Sequence, residues 1–285
     1  MATLREIKQR INSVRSTEQI TRAMKMVAAA KLRKAQNQLV AARPYAQELN
    51  KVLGHIAVTH GKKHPFFVES GGNKVCYVIV TSDRGLCGSF NANILRRATK
   101  ELEQSSDENY FLVTIGKKGY DHINRLELPI LSHYIDIFNH LEFKNAQDIS
   151  NILVRGFLAK KFDKVQVIYQ EFKSPVQQKI VVEQLLPIVP VPPETEYVFS
   201  DYIYDPKPKA IMKRLAPMHL KFQVWRILLE SYASEQGTRM TAMETATDNA
   251  EEMIRTLVLY YNQARQAAIT KELNEIVGGA EALRG

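Results

Sequence analysis

The chain has 285 residues, 45% of them hydrophobic, which is enough for one or two domains with a substantial core. Its 39 Lys and Arg residues exceed its 30 Asp and Glu residues, so the formal net charge is +9. Two cysteines, Cys76 and Cys87, exclude a disulfide framework, and no metal-ligand spacing surrounds them, so we expect reduced thiols in a cytosolic protein. No apolar run is long enough to span a membrane, and the N-terminal MATLREIKQR lacks the apolar core of a signal peptide.

The N-terminal segment has the spacing of one long helix over residues 3 to 58, with apolar side chains recurring every three or four positions. Pro44 is expected to kink or break this helix, because proline removes a backbone hydrogen bond and clashes with the preceding turn. Residues 1–59 hold eleven Lys and Arg and three Glu, so nearly all of the excess positive charge lies on this helix.

The middle of the chain alternates between strand and helix patterns. Predicted strands lie at 73–81, 110–115, 131–138, 165–172 and 178–186, and predicted helices at 92–103, after residue 116, and at 146–162. Such alternation indicates a mainly parallel sheet of βαβ units with an antiparallel edge, which we interpret as a Rossmann-like α/β domain. The proline-rich stretch 185–194 predicts a stiff linker after the last strand.

The loop 83–90, DRGLCGSF, follows a strand and precedes a helix, where open sheets bind phosphates. Neither phosphate-binding glycine fingerprint is present, so we interpret Gly85 and Gly88 as turn and packing glycines, and Asp83 as a cap. An activated thiol at Cys87, beside Arg84, is a less favoured alternative. The sequence therefore predicts no catalytic site, no metal site and no cofactor.

The C-terminal segment, residues 209–277, carries an apolar stripe in alternating steps of four and three residues, typical of a coiled coil. The stripe begins with Ile211, Leu215, Met218, Phe222, Trp225, Leu229 and Tyr232. Gln236 and Arg239 are its polar members, and we expect them to face a partner. Gly278 and Gly279 are expected to end the helix.

These patterns predict three parts: an N-terminal coiled-coil helix over 1–59, a central α/β domain over 60–208 and a C-terminal coiled-coil helix over 209–285. The chain must return past the entry point of the α/β domain. The economical arrangement is an antiparallel pair of terminal helices, the second one longer, with the domain beside them.

Several long motifs occur in order along the chain. They are ITRAMKMVAAAKLRKAQ at 20–36, TSDRGLCGSFN at 81–91, SEQGTRMTAMETATDN at 234–249 and AITKELNEIVGGAEA at 268–282. The last matches the pattern I-T-x-E-x-x-[DE]-x-x-x-G-A at Ile269, Thr270, Glu272, Glu275, Gly279 and Ala280. With these motifs the chain resembles the gamma subunit of the rotary F-type ATP synthase, bacterial type.

The resemblance implies a central rotor shaft that couples proton-driven rotation of a membrane ring to ATP synthesis or hydrolysis at beta subunits. It implies a non-catalytic subunit without a cofactor of its own. The implied partners are the alpha and beta subunits, the epsilon subunit and the membrane c-ring, with no nucleic acid. The implied location is the cytoplasmic face of the bacterial cell membrane, where the chain would be held peripherally through the complex.

The resemblance also implies partner-binding residues. For the alpha–beta ring these are Arg22, Lys25, Lys31, Arg33, Lys34, Arg239, Gln266, Thr270 and Glu275. For the foot that faces the membrane rotor ring and epsilon they are Tyr204, Asp205 and Lys207. The alternative for each basic residue is a solvated helix face, and the alternative for the foot is an ordinary turn.

Two other classes of protein remain open. The basic first helix and a pI near 9.4 would suit a nucleic-acid-binding coiled coil, although Tyr45 is the only aromatic residue on that helix. An α/β enzyme with helical extensions is the second class. A salt-dependent gel shift with duplex DNA would favour the first, and nucleotide binding by the isolated chain would favour the second.

Overall fold

The computed structural model describes residues 3–60, 64–68, 71–105, 110–175, 177–189 and 205–282. A long N-terminal helix, α1 (Leu4–His60), precedes a central sheet, and a longer helix, α5 (Pro208–Ala282), follows it. This arrangement confirms the predicted fold class. The chain forms two compact units, Ala29–Arg239 and a pair of segments, Met1–Ala28 with Met240–Gly285. We call them the domain unit and the coil unit.

The sheet of the domain unit has five strands in the order β3-β2-β1-β4-β5. Its elements are β1 (Val75–Val80), α2 (Phe90–Gln104), β2 (Tyr110–Ile115), α3 (Lys117–Arg125), β3 (Ile130–Tyr134), α4 (Phe143–Leu158), β4 (Lys164–Phe172) and β5 (Gln178–Leu186). The pairs β1–β2, β1–β4 and β2–β3 are parallel, and β4–β5 is antiparallel. The predicted parallel sheet with an antiparallel edge is therefore confirmed.

The third strand is shorter than predicted. It ends at Tyr134, and a 3-10 turn occupies Ile137–Asn139. Asp136 before that turn has a φ of 59°, in the left-handed region, which takes the chain out of the extended conformation. The predicted continuation of the strand to residue 138 is wrong for this reason.

Both faces of the sheet are buried, which explains the nearly uninterrupted apolar run of β1. Val78 and Val80 belong to the apolar cluster that also contains residues of α4 and α5. Tyr77 and Ile79 point to the opposite face, into the cluster formed with α2 and α3. The period of two along β1 thus divides one strand between two helical layers.

The first half of α5 buries two adjacent faces, whereas the predicted stripe describes one. Several positions off the predicted stripe are buried within the cluster that includes β1 and β4: Met212, Ala216, Leu220, Val224, Ile227 and Leu228. Leu229 of the stripe is buried as well. The predicted stripe lies beside these positions. Its member Phe222 contacts Tyr45 of α1, with ring centroids 4.4 Å apart, and Met218 is 40% exposed. The sheet therefore covers a face of α5 next to the one that meets α1.

The break that was one alternative at Pro44 is excluded, and the predicted helix end at Gly278 and Gly279 is wrong. α1 is continuous through Pro44, because the turns around it are held by buried side chains such as Leu49 and Leu53, and only the kink stays a prediction. α5 contains Pro217 and continues past Gly278 and Gly279 to Ala282. Neither glycine adopts the positive φ that a helix-ending left-handed cap requires.

The coil unit is antiparallel. Arg22 contacts Glu251 and Lys25 contacts Glu244, so the contacts ascend along α1 as they descend along α5, and Thr21 contacts Thr247 at the same level. By this register Leu4, where α1 begins, falls opposite roughly residue 264 of α5. The last turns of α5 in the described part of the unit therefore extend beyond α1.

The exact division at 1–59, 60–208 and 209–285 stays a prediction, because both long helices contribute to both compact units. Most of the predicted linker, residues 190–194, lies outside the described residues, and residues 185 and 186 belong to β5. Among the described residues, no helix is long and apolar enough to cross a membrane.

Candidate partner-binding surface

The C-terminal part of α5, whose last turns extend beyond α1, exposes large apolar side chains. Seven of them are between 47% and 67% exposed: Met253, Leu259, Tyr260, Ile269, Leu273, Ile276 and Val277. A set of exposed apolar groups of this size, flanked by polar residues, is typical of a protein-binding surface. This surface of the coil unit is the principal candidate site, and we call it the α5 tip.

The predicted ring contacts Gln266, Thr270 and Glu275 all lie exposed on the α5 tip. The Thr270 hydroxyl donates to the Gln266 carbonyl at 2.9 Å, so its hydrogen is used within the helix while its oxygen can still accept. Glu275 forms an exposed ion pair with Lys271 at 3.7 Å. All three residues therefore lie on accessible helix surface, but Glu275 lies roughly 180° around the helix from Gln266.

Two predicted basic contacts, Arg22 and Lys25, are engaged within the coil unit. The Arg22 guanidinium lies 3.0 Å from Glu18 and 2.7 Å from Glu251, and the Lys25 ammonium lies 2.6 Å from Glu244. Their charges are therefore offset inside this chain. Arg22 remains 57% exposed and Lys25 39%, so both also remain accessible to a second protein.

Three other basic residues, Lys31, Arg33 and Lys34, are exposed on α1. Within the described part of the chain none of them forms an ion pair with a carboxylate. A cluster of uncompensated cations on one helix segment favours an acidic partner surface. Of the five basic residues predicted from the sequence, these three have the most available charge.

Arg239 is held by its own domain unit. Its guanidinium lies 2.6 Å from Glu235, and the two side chains are only 11% and 6% exposed. It also donates to the backbone carbonyls of Arg84 at 3.4 Å and Gly85 at 3.2 Å. A contact of Arg239 with the alpha–beta ring stays a prediction.

Gln236 does not face a partner, contrary to the expectation from the stripe. Its residue is 3% exposed, and its amide donates to Glu235 at 3.2 Å. Burial raises the pKa of Glu235, and the charge of Arg239 opposes that rise. The polar interruption of the apolar stripe is therefore an internal network, as the i, i+4 spacing of Glu235 and Arg239 could have indicated.

Asp83 caps backbone groups at the carboxyl edge of the sheet. Its carboxylate accepts the N–H groups of Lys117 at 3.0 Å, Asp136 at 2.9 Å and Phe138 at 3.4 Å. The prediction that Asp83 caps its own turn is not confirmed, because the groups it caps belong to the neighbouring segments that follow β2 and β3. Gly88 has a φ of 55°, which supports its interpretation as a turn glycine.

Neither cysteine is an activated thiol. Burial raises the pKa of Cys76 to about 12. Burial also raises the pKa of Cys87, more than a hydrogen bond to Ser82 and the charge of Arg239 lower it. A raised pKa suppresses the thiolate that nucleophilic chemistry requires, so the alternative of a reactive Cys87 is wrong.

The structure describes two of the three predicted foot residues. Tyr204 lies outside the described residues, whereas Asp205 and Lys207 are exposed immediately before α5. The Lys207 carbonyl accepts the N–H groups of Ala210 and Ile211, and this starts the helix. Among the described residues, no group of His, Cys, Asp or Glu could hold a metal ion.

One buried polar network was missed at the sequence level. Arg226 of α5 contacts Glu183 at 2.5 Å and Glu230 at 3.1 Å, and it donates to the Tyr169 hydroxyl at 3.2 Å. The i, i+4 spacing of Arg226 and Glu230 was visible in the sequence. Its link to β4 and β5 was not, because that link depends on the tertiary packing of α5.

Two long helices that form an antiparallel coil in one unit, a five-stranded α/β sheet in the other unit and an exposed apolar surface on the last helix are features of a subunit of a larger assembly. A sequence-family model described as ATP synthase matches residues 3–283. The chain is 48% identical over 288 residues to the ATP synthase gamma chain of Geobacter sp. (strain M21), covering 100% of both chains. It is 47% identical over 290 residues to that of Pelodictyon phaeoclathratiforme, covering 99% of both. The chain therefore belongs to the ATP synthase gamma chain family.

Solved structures agree. A chain from the central stalk and c-ring structure of the Tetrahymena thermophila mitochondrial ATP synthase is 27% identical, with a TM-score of 0.61 over 80% of this chain and 99% of that one. A chain from the Euglena gracilis mitochondrial ATP synthase, in a structure of OSCP, F1 and c-ring, has a TM-score of 0.72 over 98% of this chain and 94% of that one. At 20% identity the second likeness concerns the fold alone.

Proposed function

We propose that this chain is the central rotor shaft of a bacterial F-type ATP synthase, coupling proton-driven rotation of a membrane ring to ATP synthesis or hydrolysis at beta subunits. The observation that carries the proposal is the α5 tip, an exposed apolar helix end that extends beyond its antiparallel partner in a chain of the gamma family. An exposed apolar surface of this kind is typical of a site that another protein covers.

The shaft acts by differential binding. It presents a different face to each surrounding beta subunit, and each face favours a different conformation and nucleotide affinity. Rotation of the shaft exchanges those affinities among the beta subunits. Catalysis takes place on the beta subunits, and this chain is the non-catalytic coupling part. The absence of a phosphate-binding fingerprint at 83–90 supports that assignment.

The contacts divide into three groups. Lys31, Arg33 and Lys34 attract acidic loops of the alpha–beta ring, since attraction to solvated carboxylates is long-ranged and weakly directional. Gln266, Thr270 and Glu275 form polar contacts at the α5 tip, and Arg22, Lys25 and Arg239 add contacts beyond their internal pairs. Tyr204, Asp205 and Lys207 at the foot meet epsilon and the membrane c-ring. This places the chain peripherally at the cytoplasmic face of the membrane.

The test is co-expression with alpha and beta chains, followed by purification and an ATPase assay with and without this chain. We expect a stable complex whose ATPase activity depends on the chain, while the isolated chain binds ATP no better than about millimolar in calorimetry, equivalent to about 4 kcal/mol. Failure to co-purify with alpha and beta, or a micromolar ATP site on the isolated chain, would contradict the proposal.

The basic cluster is tested by reversing all three charges in K31E/R33E/K34E. We expect proton-driven ATP synthesis to fall while the unfolding free energy changes by less than about 1 kcal/mol per residue, because exposed charges contribute little to stability. The matched control is R96E/K100E/K118E, the same change of charge at exposed positions of the α/β domain. Equal loss of synthesis in both variants would show a general charge effect and no specific contact.

A further inference from the structure

Three polar side chains of α5 are bonded to the α/β sheet and its loops. Arg226 reaches Glu183 of β5 and Tyr169 of β4, and the Tyr169 hydroxyl donates to Glu183 at 2.8 Å. Thr238 donates to the side-chain oxygen of Gln178, the first residue of β5, at 2.6 Å.

The third contact is that of Arg239 with the backbone carbonyls of Arg84 and Gly85, in the loop after β1. Immediately before the second and third contacts along the helix, Gly237 lets the turn after β4 approach the helix closely. A Cβ atom at position 237 would lie 3.4 Å from Phe172, Pro175 and Gln178.

These three contacts point in different directions around the helix axis. At about 100° per residue, Thr238 lies roughly 120° and Arg239 roughly 220° around α5 from Arg226. Along the axis, the pair at 238 and 239 lies about 18 to 20 Å from Arg226. The sheet, the β5 start and the loop after β1 therefore hold α5 from three sides and at two heights.

The apolar packing beneath these contacts restrains rotation of α5 about its own axis less strictly than the polar contacts do. Met212, Leu220 and Val224 are buried against the sheet cluster, but apolar burial depends on area and has no preferred direction. Hydrogen bonds weaken steeply when the donor–acceptor distance or angle changes. A small turn of α5 about its own axis would break polar contacts long before it exposed much apolar area.

We propose that Arg226, Thr238 and Arg239 form a rotational lock, through which torque passes between the α/β domain and α5. The lock rests on the proposed rotor function, because only a shaft under torque needs it. Each of the three is a positioning residue: it sets the angle of a helix whose distant surface contacts the partner. α5 is one continuous helix to Ala282, so the angle set at the lock is carried along its backbone.

The lock is tested first on the full chain alone, independently of any rotor function. Spin labels are attached at exposed positions of α5 and of α2, through R214C and K100C, and the distribution of distances between them is measured by double electron–electron resonance. We expect R226M/T238V to broaden this distribution at least twofold, and R226K/T238V to broaden it less. An unchanged width in R226M/T238V would overturn the inference.

The second test uses the assembled complex. With the alpha–beta ring immobilised and a bead on the α/β domain, the angular variance of a stalled rotor measures its torsional stiffness. We expect R226M/T238V to raise the variance at least twofold while the ATPase activity without a bead stays within twofold of wild type. The matched control is R255M/T256V, which changes an exposed arginine of α5 and a threonine that bonds only within its helix.

The two experiments distinguish failure of the proposed rotor function from failure of the proposed rotational lock. If wild type fails to assemble or turn, the proposed function fails and the distance measurement still decides the lock. If R226M/T238V does not assemble, Y169F removes the hydrogen bonds of the Tyr169 hydroxyl and T238V those of the Thr238 hydroxyl, while Arg226 keeps its ion pairs, and we expect an intermediate variance. A variance equal to wild type in every variant that assembles would overturn the lock.

Discussion

The hydroxyl groups of Thr21 and Thr247 lie 2.8 Å apart across the antiparallel helix pair, with the two residues only 8% and 6% exposed. Thr21 also donates to the Glu18 carbonyl at 3.0 Å, and Thr247 to that of Met243 at 2.8 Å. The two threonine hydroxyl groups therefore have two hydrogens for three contacts: one between the helices and one with a carbonyl of each helix. A buried polar pair in an otherwise apolar seam sets the register, since sliding by one turn would leave both hydroxyls facing apolar groups.

The Thr21–Thr247 pair is expected to show coupling in a double-mutant cycle. Each single change, T21V or T247V, leaves one buried hydroxyl without its cross-helix partner and is expected to cost about 1 to 2 kcal/mol. The double variant T21V/T247V should cost less than the sum, because both partners become apolar. Urea unfolding of the full chain measures these values, and strict additivity would show that the pair does not interact.

Lys25 and Glu244 are expected to interact with each other before they interact with any partner. K25E places two carboxylates 2.6 Å apart in the present geometry and should destabilise the chain, whereas the exchange K25E/E244K should restore stability to within about 0.5 kcal/mol of wild type. Thermal unfolding of the full chain in low and high salt is the measurement. If the exchanged variant is stable but its complex no longer couples, Lys25 has the additional ring contact proposed above.

The periodicity of the sequence was enough to predict both long helices and every strand of the sheet, because patterns of 3.6 and 2 residues reflect burial directly. It did not reveal that Met212 and Ala216 are more deeply buried than Ile211 and Leu215. One stripe cannot describe a helix that packs against a second helix and a sheet at once.

For the candidate partner-binding surface, the sequence predicted which residues are exposed better than it predicted which charged residues pair within the chain. The exposure of Gln266 and Thr270 follows from their positions on the helix. Arg22 and Lys25, however, contact residues that are over two hundred positions away in the sequence. Arg239 contacts the backbone carbonyl of a loop, which the sequence does not reveal either. Sequence spacing alone cannot distinguish a cation that meets its own chain from one that awaits a partner. The end of α5 was mispredicted because glycine permits a left-handed cap but does not enforce it.

His219 is expected to make the chain acid-sensitive. Burial, and secondarily the charge of Arg226, lower its pKa from 6.5 to about 4, and its buried Nδ1 atom has no hydrogen-bond partner among the residues that the structure describes. The unfolded chain therefore binds a proton that the folded chain rejects, so stability is fully present above pH 6.5 and is lost as the pH falls towards 4. The loss should reach up to about 3 kcal/mol.

The variant H219L isolates this effect. Its unfolding free energy should vary less between pH 6.5 and 4 than that of wild type, as measured by urea unfolding at several pH values. The matched control is H122L, the same substitution at another histidine. A wild-type profile retained in H219L would mean that other groups cause the acid sensitivity.

Both thiols are expected to be unreactive in the folded chain. Cys76 and Cys87 are 0% and 2% exposed, and burial raises both pKa values, so the thiolate is scarce at pH 8. Labelling with a thiol reagent should be at least about 100-fold slower in native buffer than in denaturant. The variant S89C, at an exposed position in the same loop, provides the positive control. Rapid native labelling of Cys87 would show that the loop opens.

The end of the α5 tip is expected to hold position more than it carries torque. Leu273, Ile276 and Val277 are 55%, 67% and 60% exposed, and an apolar sleeve around them would resist tilting but offer little grip against rotation. Deleting residues 274–285 should reduce assembly or complex stability while the complexes that form still rotate. Complexes that assemble fully and never rotate would show that the tip is the driving contact.

Rotation itself is the most direct test of the proposed function. The alpha–beta ring is immobilised with this chain in place, a bead is attached to the α/β domain through K100C, and ATP is added. A rotor shaft predicts turning in one direction that requires ATP and stops when ATP is removed. An assembled complex that hydrolyses ATP while the bead remains still, or that hydrolyses ATP equally well without the chain, would contradict the rotor function.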